Sequence, residues 1–187
     1  MNRLLLDANI VLDFVLARPP HADAATALWA VAERKEVEAF VPAHGVTTIF
    51  YLAARFRNAA FARQVVNDLV LVPAIAAVDG AILRRAFGLG WPDLENAVCA
   101  AAAEAAGCDL LVTRDPRGFP ASPVAVVDPP TALAILSGHR GPEGVAEGQA
   151  SARRRSGRSG GHRRSRSPVP SVFPHPDLTG TGAAMRR

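Results

Sequence analysis

Two aspartates stand at the ends of similar apolar runs. Leu4-Leu5-Leu6 is followed at once by Asp7, and Leu110-Leu111-Val112 by Thr113, Arg114 and Asp115. A short run of large apolar residues predicts a strand covered on both faces, as in a parallel sheet, because such a strand need not alternate apolar with polar. Ligands of open parallel sheets collect in the crevice outside the carboxyl ends of the strands. If the two strands are neighbours, Asp7 and Asp115 converge at one rim. Two carboxylates held together repel, and a hard divalent cation with oxygen ligands satisfies both. The competing expectation is structural: each Asp would cap the helix that follows it.

A further acidic group precedes the second run. Asp93, Glu95 and Asn96 fall in the first turn of a helix that opens after Trp91-Pro92 and runs through Ala-rich residues to Gly107. Acidic residues there complement the helix dipole without any site. Ala100 to Ala103, with Ala105 and Ala106, would let this helix approach the sheet closely and hold its first turn near the strand ends. Asp93 lies one turn before Asn96 on the same helix face, and Glu95 is its neighbour.

The remaining elements must position these groups. Ile10 to Leu16 has near-helical apolar spacing and ends at Pro19-Pro20. His21 to about Lys35 is an amphipathic helix, with Ala24, Ala27, Leu28 and Val31 on one face. Glu38 to Val41 is a short strand, and helical spacing returns from Thr47 to Arg57 and again through Phe61, Val65 and Leu69. Val70 to Pro73 is an edge strand at best, because Pro73 cannot donate to a ladder. Asp79 is an N-cap for a helix closed by Gly88 and Gly90. Val124 to Val127 is a last strand and Pro129 to Leu136 a closing helix. Strands near residues 4, 38, 110 and 124 alternating with helices predict an α/β sheet flanked by helices on both faces. Helices outnumber strands between residues 44 and 107, which predicts a helical insertion beside the cleft.

Composition divides the 187 residues in two. Residues 1–139 hold 11 Lys and Arg against 14 Asp and Glu, whereas residues 140–187 hold 10 Arg against three acids. The net charge of +4 therefore describes neither part. Residues 140–187, rich in Arg, Ser, Gly and Pro, have too few large apolar residues to offset the entropy of ordering, and a disordered tail is expected. Such a tract is either an RNA- or DNA-binding arm or a solvated extension of nonspecific charge. Cys99 and Cys108 have no CxxC spacing and no His partners, and read as small buried residues in a reducing compartment. No apolar run reaches membrane-spanning length and no leader is evident, so a cytoplasmic protein with no membrane partner is expected.

Residues 1 to about 137 resemble a PIN domain, in particular the VapC-like toxins of bacterial toxin–antitoxin pairs. The resemblance rests on Leu4-Leu5-Leu6-Asp7-Ala8-Asn9-Ile10, on Asp93-Leu94-Glu95-Asn96-Ala97 opening an Ala-rich helix, and on Gly107-Cys108-Asp109-Leu110-Leu111-Val112-Thr113-Arg114-Asp115. It implies a three-layer fold with a central, mostly parallel sheet over residues 1–139, and a metal-dependent ribonuclease whose acidic cluster holds Mg²⁺ or Mn²⁺. It also implies a cognate antitoxin and a homodimer. Within such a site Asp7 and Asp115 are metal ligands, and Asn9 and Thr113 orient them or the attacking water. Arg114, or Arg55 and Arg57, hold substrate phosphate.

Two positions depart from that family. Its usual Glu on the helix after the second strand aligns with Thr48, and its helix-opening Asp is Asn96. Asp7 and Asp115 alone give a charge of −2, which suits one divalent ion better than two, and Asp93 and Glu95 restore −4 if they turn inward. The rival is a degraded PIN-like protein that binds RNA or a partner without cleaving. A phosphoacceptor signalling domain also places Asp at strand ends, but it needs a Lys late in the sheet, and Lys35 is the only Lys.

Overall fold

The computed structural model describes residues 2–138, so the expected disordered tail at 140–187 lies outside the described residues. Five parallel strands form one sheet in the order β3-β2-β1-β4-β5: β1 Arg3–Leu6, β2 Glu38–Pro42, β3 Ala74–Ala76, β4 Leu110–Val112 and β5 Ala125–Val127. The helices are α1 Ala8–Val15, α2 Ala22–Glu33, α3 Ala43–Phe56, α4 Ala59–Leu69, α5 Gly80–Leu89, α6 Leu94–Ala105 and α7 Pro129–Gly138.

Strand pleating divides the apolar runs between two cores. Leu4 and Leu6, with Val41 and Val112, face α1, α2, α3, α4 and α7. Leu5, Phe40 and Leu111 face the other way, against Cys99, Ala100, Ala102 and Ala103 of α6. The result is three layers, and both sides of β1 and β4 are covered, as the unbroken apolar runs require. Leu5 and Leu111 are fully enclosed, so truncating either to Ala costs about 3 kcal/mol.

Two expectations are corrected. The edge strand falls at Ala74–Ala76, after Val70–Pro73 rather than within it, and pairs Phe40↔Ala74 through Pro42↔Ala76. Leu71 is 76% exposed, so burial does not hold that run in the sheet, and Pro73 lacks the N–H for the ladder. Because β3 joins the sheet, residues 44–107 are no separate helical insertion; α3 and α4 contribute to one core and α6 to the other. Helix α3 also starts earlier than the apolar spacing predicted, at Ala43, which brings His44 into its first turn.

Local chemistry accounts for several boundaries. The Asn58 side chain accepts from Phe61 N, and Asp79 Oδ1 accepts from Ala81 and Ile82 N, each capping its helix as such residues do. Helix α5 ends at Gly90, whose φ of 68° is the left-handed conformation that glycine adopts without penalty.

Candidate active site

Strands β1 and β4 are neighbours, with Leu6 opposite Val112, and Asp7 N donates to Val112 O at 3.0 Å. Asp7 and Asp115 therefore leave the same sheet edge, at the carboxyl ends of adjacent strands. Neither side chain caps the segment that follows it, although both occupy the N-cap position. Their common partner is Thr113, which is buried. Its hydroxyl donates to Asp7 Oδ2 at 2.9 Å and accepts from Asp115 N at 3.3 Å. Asn9 Nδ2 also donates to Asp7 Oδ2, at 3.3 Å. Both of these side-chain bonds go to Oδ2, which leaves Oδ1 available to a ligand.

Arg114 is turned inward. It donates to Asp13 Oδ1 at 3.2 Å and to Asn9 Oδ1 at 3.1 Å. Asp13 belongs to α1 and its side chain is fully enclosed; Arg18 approaches it at 3.9 Å. Burial raises the Asp13 carboxyl above the ordinary Asp value, against the opposing pull of Arg114, His21 and Arg18. Arg114 thus holds Asn9, and through it Asp7, rather than extending toward solvent. Sequence reasoning missed Asp13; the signal available was an acid on the buried face of an apolar helix turn.

Helix α6 delivers the third group. Asp93 is its N-cap, with Oδ1 accepting from Asn96 N at 3.0 Å. Asn96 Nδ2 donates to Gly118 O at 3.1 Å. A methyl placed on Gly118 would lie 2.7 Å from Asn96 Nδ2 and 3.3 Å from Asp115 Oδ2, so those two side chains flank the Gly118 backbone. Glu95 is exposed, and its charge acts together with that of Asp7 on two groups, His44 and Cys99. The fold therefore brings Asp7, Asp115, Asn9, Thr113 and Asn96 to one rim, with exposed Glu95 in the first turn of α6, while Asp93 is engaged as a cap. Burial above all, with the Asp7 and Glu95 charges adding to it, pushes the Cys99 thiol well up, and burial pushes Cys108 up to about 11, so both are inert thiols.

Arg55 and Arg57 lie elsewhere. Arg55 donates to Tyr51 Oη at 3.2 Å and Arg57 packs over the Phe61 ring. Both are at the far end of α3, about 20 Å from its first turn by helical rise.

His44 was not among the residues singled out from sequence. Its ring is partly buried, burial lowers its pKa below the usual His value, and Asp7 and Glu95 oppose that shift. Its Nδ1 is enclosed with no hydrogen-bond partner among the described residues. Gly45 beside it packs on α1, where a Cβ would come 3.5 Å from Ala8 Cβ.

Among the described residues no three His, Cys, Asp or Glu side chains converge closely enough to form a metal-binding group on their own. The arrangement suits a hard ion all the same. Mg²⁺ keeps several waters and is typically held by one or two carboxylates together with substrate phosphate, and Asp7 Oδ1 and exposed Asp115 supply that number.

A family model described as PIN domain matches residues 3–117. Among solved structures, the DNA-bound VapBC of Salmonella typhimurium is similar, at 14% identity and a TM-score of 0.56, over 69% of this chain and 99% of that one. A toxin–antitoxin complex from Klebsiella pneumoniae matches at 19% identity and TM-score 0.53, over 67% and 97% of the two chains. The sarcin–ricin-loop-cleaving toxin VapC20 of Mycobacterium tuberculosis matches at 15% identity and TM-score 0.50, over 58% and 86%. At these identities the likeness is one of fold. No curated protein matches the chain by sequence.

Proposed function

The chain belongs to the PIN-domain family, and from that premise we propose that it is a metal-dependent endoribonuclease, the toxin of a toxin–antitoxin pair acting in the cytoplasm. One observation carries the reading: Asp7 and Asp115 stand at the ends of adjacent parallel strands, tied together by the Thr113 hydroxyl. Asp7, through Oδ1, and Asp115 would hold the ion, with Glu95 and Asp93 as further candidate carboxylates. Bound Mg²⁺ or Mn²⁺ would supply charge neutralisation and an activated water for phosphodiester hydrolysis.

The chain's own residues do the positioning. Thr113 and Asn9 both donate to Asp7 Oδ2 and so fix the direction in which Oδ1 points. Arg114 locks Asn9 from behind through its bond to buried Asp13. Asn96, held on Gly118 O, sets the α6 wall of the cleft beside Asp115. RNA is the proposed substrate, in keeping with the sarcin–ricin-loop-cleaving Mycobacterium neighbour. An antitoxin partner and a homodimer are proposed in keeping with the toxin–antitoxin complexes.

A second reading, RNA binding without cleavage, is favoured by Thr48 and Asn96 standing where carboxylates are expected and by the lack of a three-ligand group among the described residues. The two separate in one experiment: cleavage of a mixed RNA pool by the full chain with Mg²⁺ or Mn²⁺ and with chelator, native against Asp7→Asn. Metal-dependent cleavage removed by Asp7→Asn supports the nuclease. No cleavage by either protein, with RNA still bound, supports the binding reading.

A further inference from the structure

His44 occupies the first turn of α3, at the carboxyl end of β2, the strand next to β1. Gly45, the next residue, packs on α1 beside Asp7, where a Cβ would come 3.5 Å from Ala8 Cβ, and the Asp7 and Glu95 charges both act on the ring. Its two nitrogens are inequivalent. Nδ1 is enclosed and has no partner, whereas Nε2 is not enclosed. An N–H sealed away without an acceptor costs more than a sealed lone pair, so the single proton of the neutral ring belongs on Nε2. Burial disfavours the imidazolium, with the Glu95 and Asp7 charges opposing. The backbone around it is pinned, because Thr47 Oγ1 donates to His44 O at 2.7 Å. Thr48, four residues on and one turn along the same face, offers no carboxylate to engage the ring.

The donors at the rim already serve protein acceptors. Asp7, Asp115, Asp93 and Glu95 are acceptors. The Thr113 hydroxyl donates to Asp7, Arg114 is bonded to Asp13 and Asn9, and Asn96 Nδ2 is on Gly118 O. An RNA phosphate entering this acidic cleft needs an N–H aimed at its oxygens, and preorganised neutral donors do this without adding a charge that the carboxylates would capture.

We propose that His44 is a substrate-contacting residue of this centre, whose Nε2–H donates to a non-bridging oxygen of the RNA phosphate held at the Asp7 rim. The role rests on the ribonuclease reading for its substrate, but its readout is binding. Gln keeps a side-chain N–H at comparable reach, and Ala removes it.

The test measures anisotropy of a labelled single-stranded RNA with the full chain in chelator, for native, His44→Ala, His44→Gln and Asp7→Asn proteins, with thermal melting of each. The expected result is binding weakened about tenfold by His44→Ala, as for loss of one hydrogen bond to a charged group, and within about twofold of native for His44→Gln. In metal, if the native chain cleaves, His44→Ala loses kcat/KM at least in the same proportion. Native-like RNA affinity in a folded His44→Ala protein overturns the proposal. So does a His44→Gln protein that is folded and as weak as His44→Ala, since the ring would then act through shape alone. Failure of the nuclease reading shows separately, as absence of metal-dependent cleavage in the native chain while these affinities still rank the variants.

Discussion

The Thr113 hydroxyl donates to Asp7 Oδ2 at 2.9 Å across a sequence separation of 106 residues. That bond exists because β4 lies beside β1 in register, and it converts two separate strand ends into one rim. Thr113→Val keeps the shape of a buried side chain and removes the donor. The expected outcome is a stability loss of about 1 kcal/mol in urea titration and a larger effect on metal-dependent cleavage, on the order of tenfold or more, because Asp7 is no longer aimed.

Gly118 is packed against the site through its missing side chain. Gly118→Ala would put a Cβ 2.7 Å from Asn96 Nδ2 and 3.3 Å from Asp115 Oδ2, so the Asn96 amide or the turn must shift. Activity should fall at least about tenfold while global unfolding changes by about 1 kcal/mol; a fully active Gly118→Ala protein would show that Asn96 and Asp115 need no fixed spacing.

Asn96→Asp separates structure from charge at the same place. The new carboxylate faces the Gly118 carbonyl, which Nδ2 now satisfies at 3.1 Å, so in chelator the melting temperature should drop by about 3–6 °C for the loss of one partly buried bond. With Mn²⁺ added the variant should regain more melting temperature than the native chain does, because it gains an oxygen ligand. Equal Mn²⁺ shifts for the two proteins would remove Asn96 from the ion's surroundings.

Asp13 gives a pH signature. Its folded-state pKa lies above the ordinary Asp value because burial outweighs the attraction of Arg114, His21 and Arg18. Between the ordinary value and the raised one, the folded chain holds a proton that the unfolded chain has released. This residue's contribution to stability therefore grows as pH falls into that window and shrinks as pH rises through it. Asp79 runs oppositely. Its carboxylate is held low by the Ile82 and Ala81 N–H groups, so its cap is lost as pH falls. In stability against pH by urea titration, Asp13→Asn should remove the first dependence and Asp79→Asn, which still caps, the second.

Much of this protein follows from local rules. Unbroken apolar runs at 4–6 and 110–112 required strands covered on both faces, and parallel pairing then put Asp7 and Asp115 at one edge. The Ala-rich stretch of α6 allowed close packing, and Asp79 and Gly90 marked helix ends, one by its capping carboxylate and the other by its left-handed backbone, both acting within a few residues. Where burial rather than spacing decided, tertiary structure was needed. Pro73 excluded a strand, but only the open edge of β2 drew Ala74–Ala76 into the sheet. Arg114 read as a cation for phosphate, yet the enclosed Asp13 on α1 draws it inward, a pairing across 101 residues that no local pattern encodes. His44 fell between the predicted strand and a helix predicted from Thr47; the early start of α3 at Ala43 carries it to the carboxyl end of β2, where the Asp7 and Glu95 charges act on it. Sequence fixes which groups occupy strand ends and helix turns because those rules are short-range, whereas the partners of each polar side chain depend on which distant elements exclude water around it.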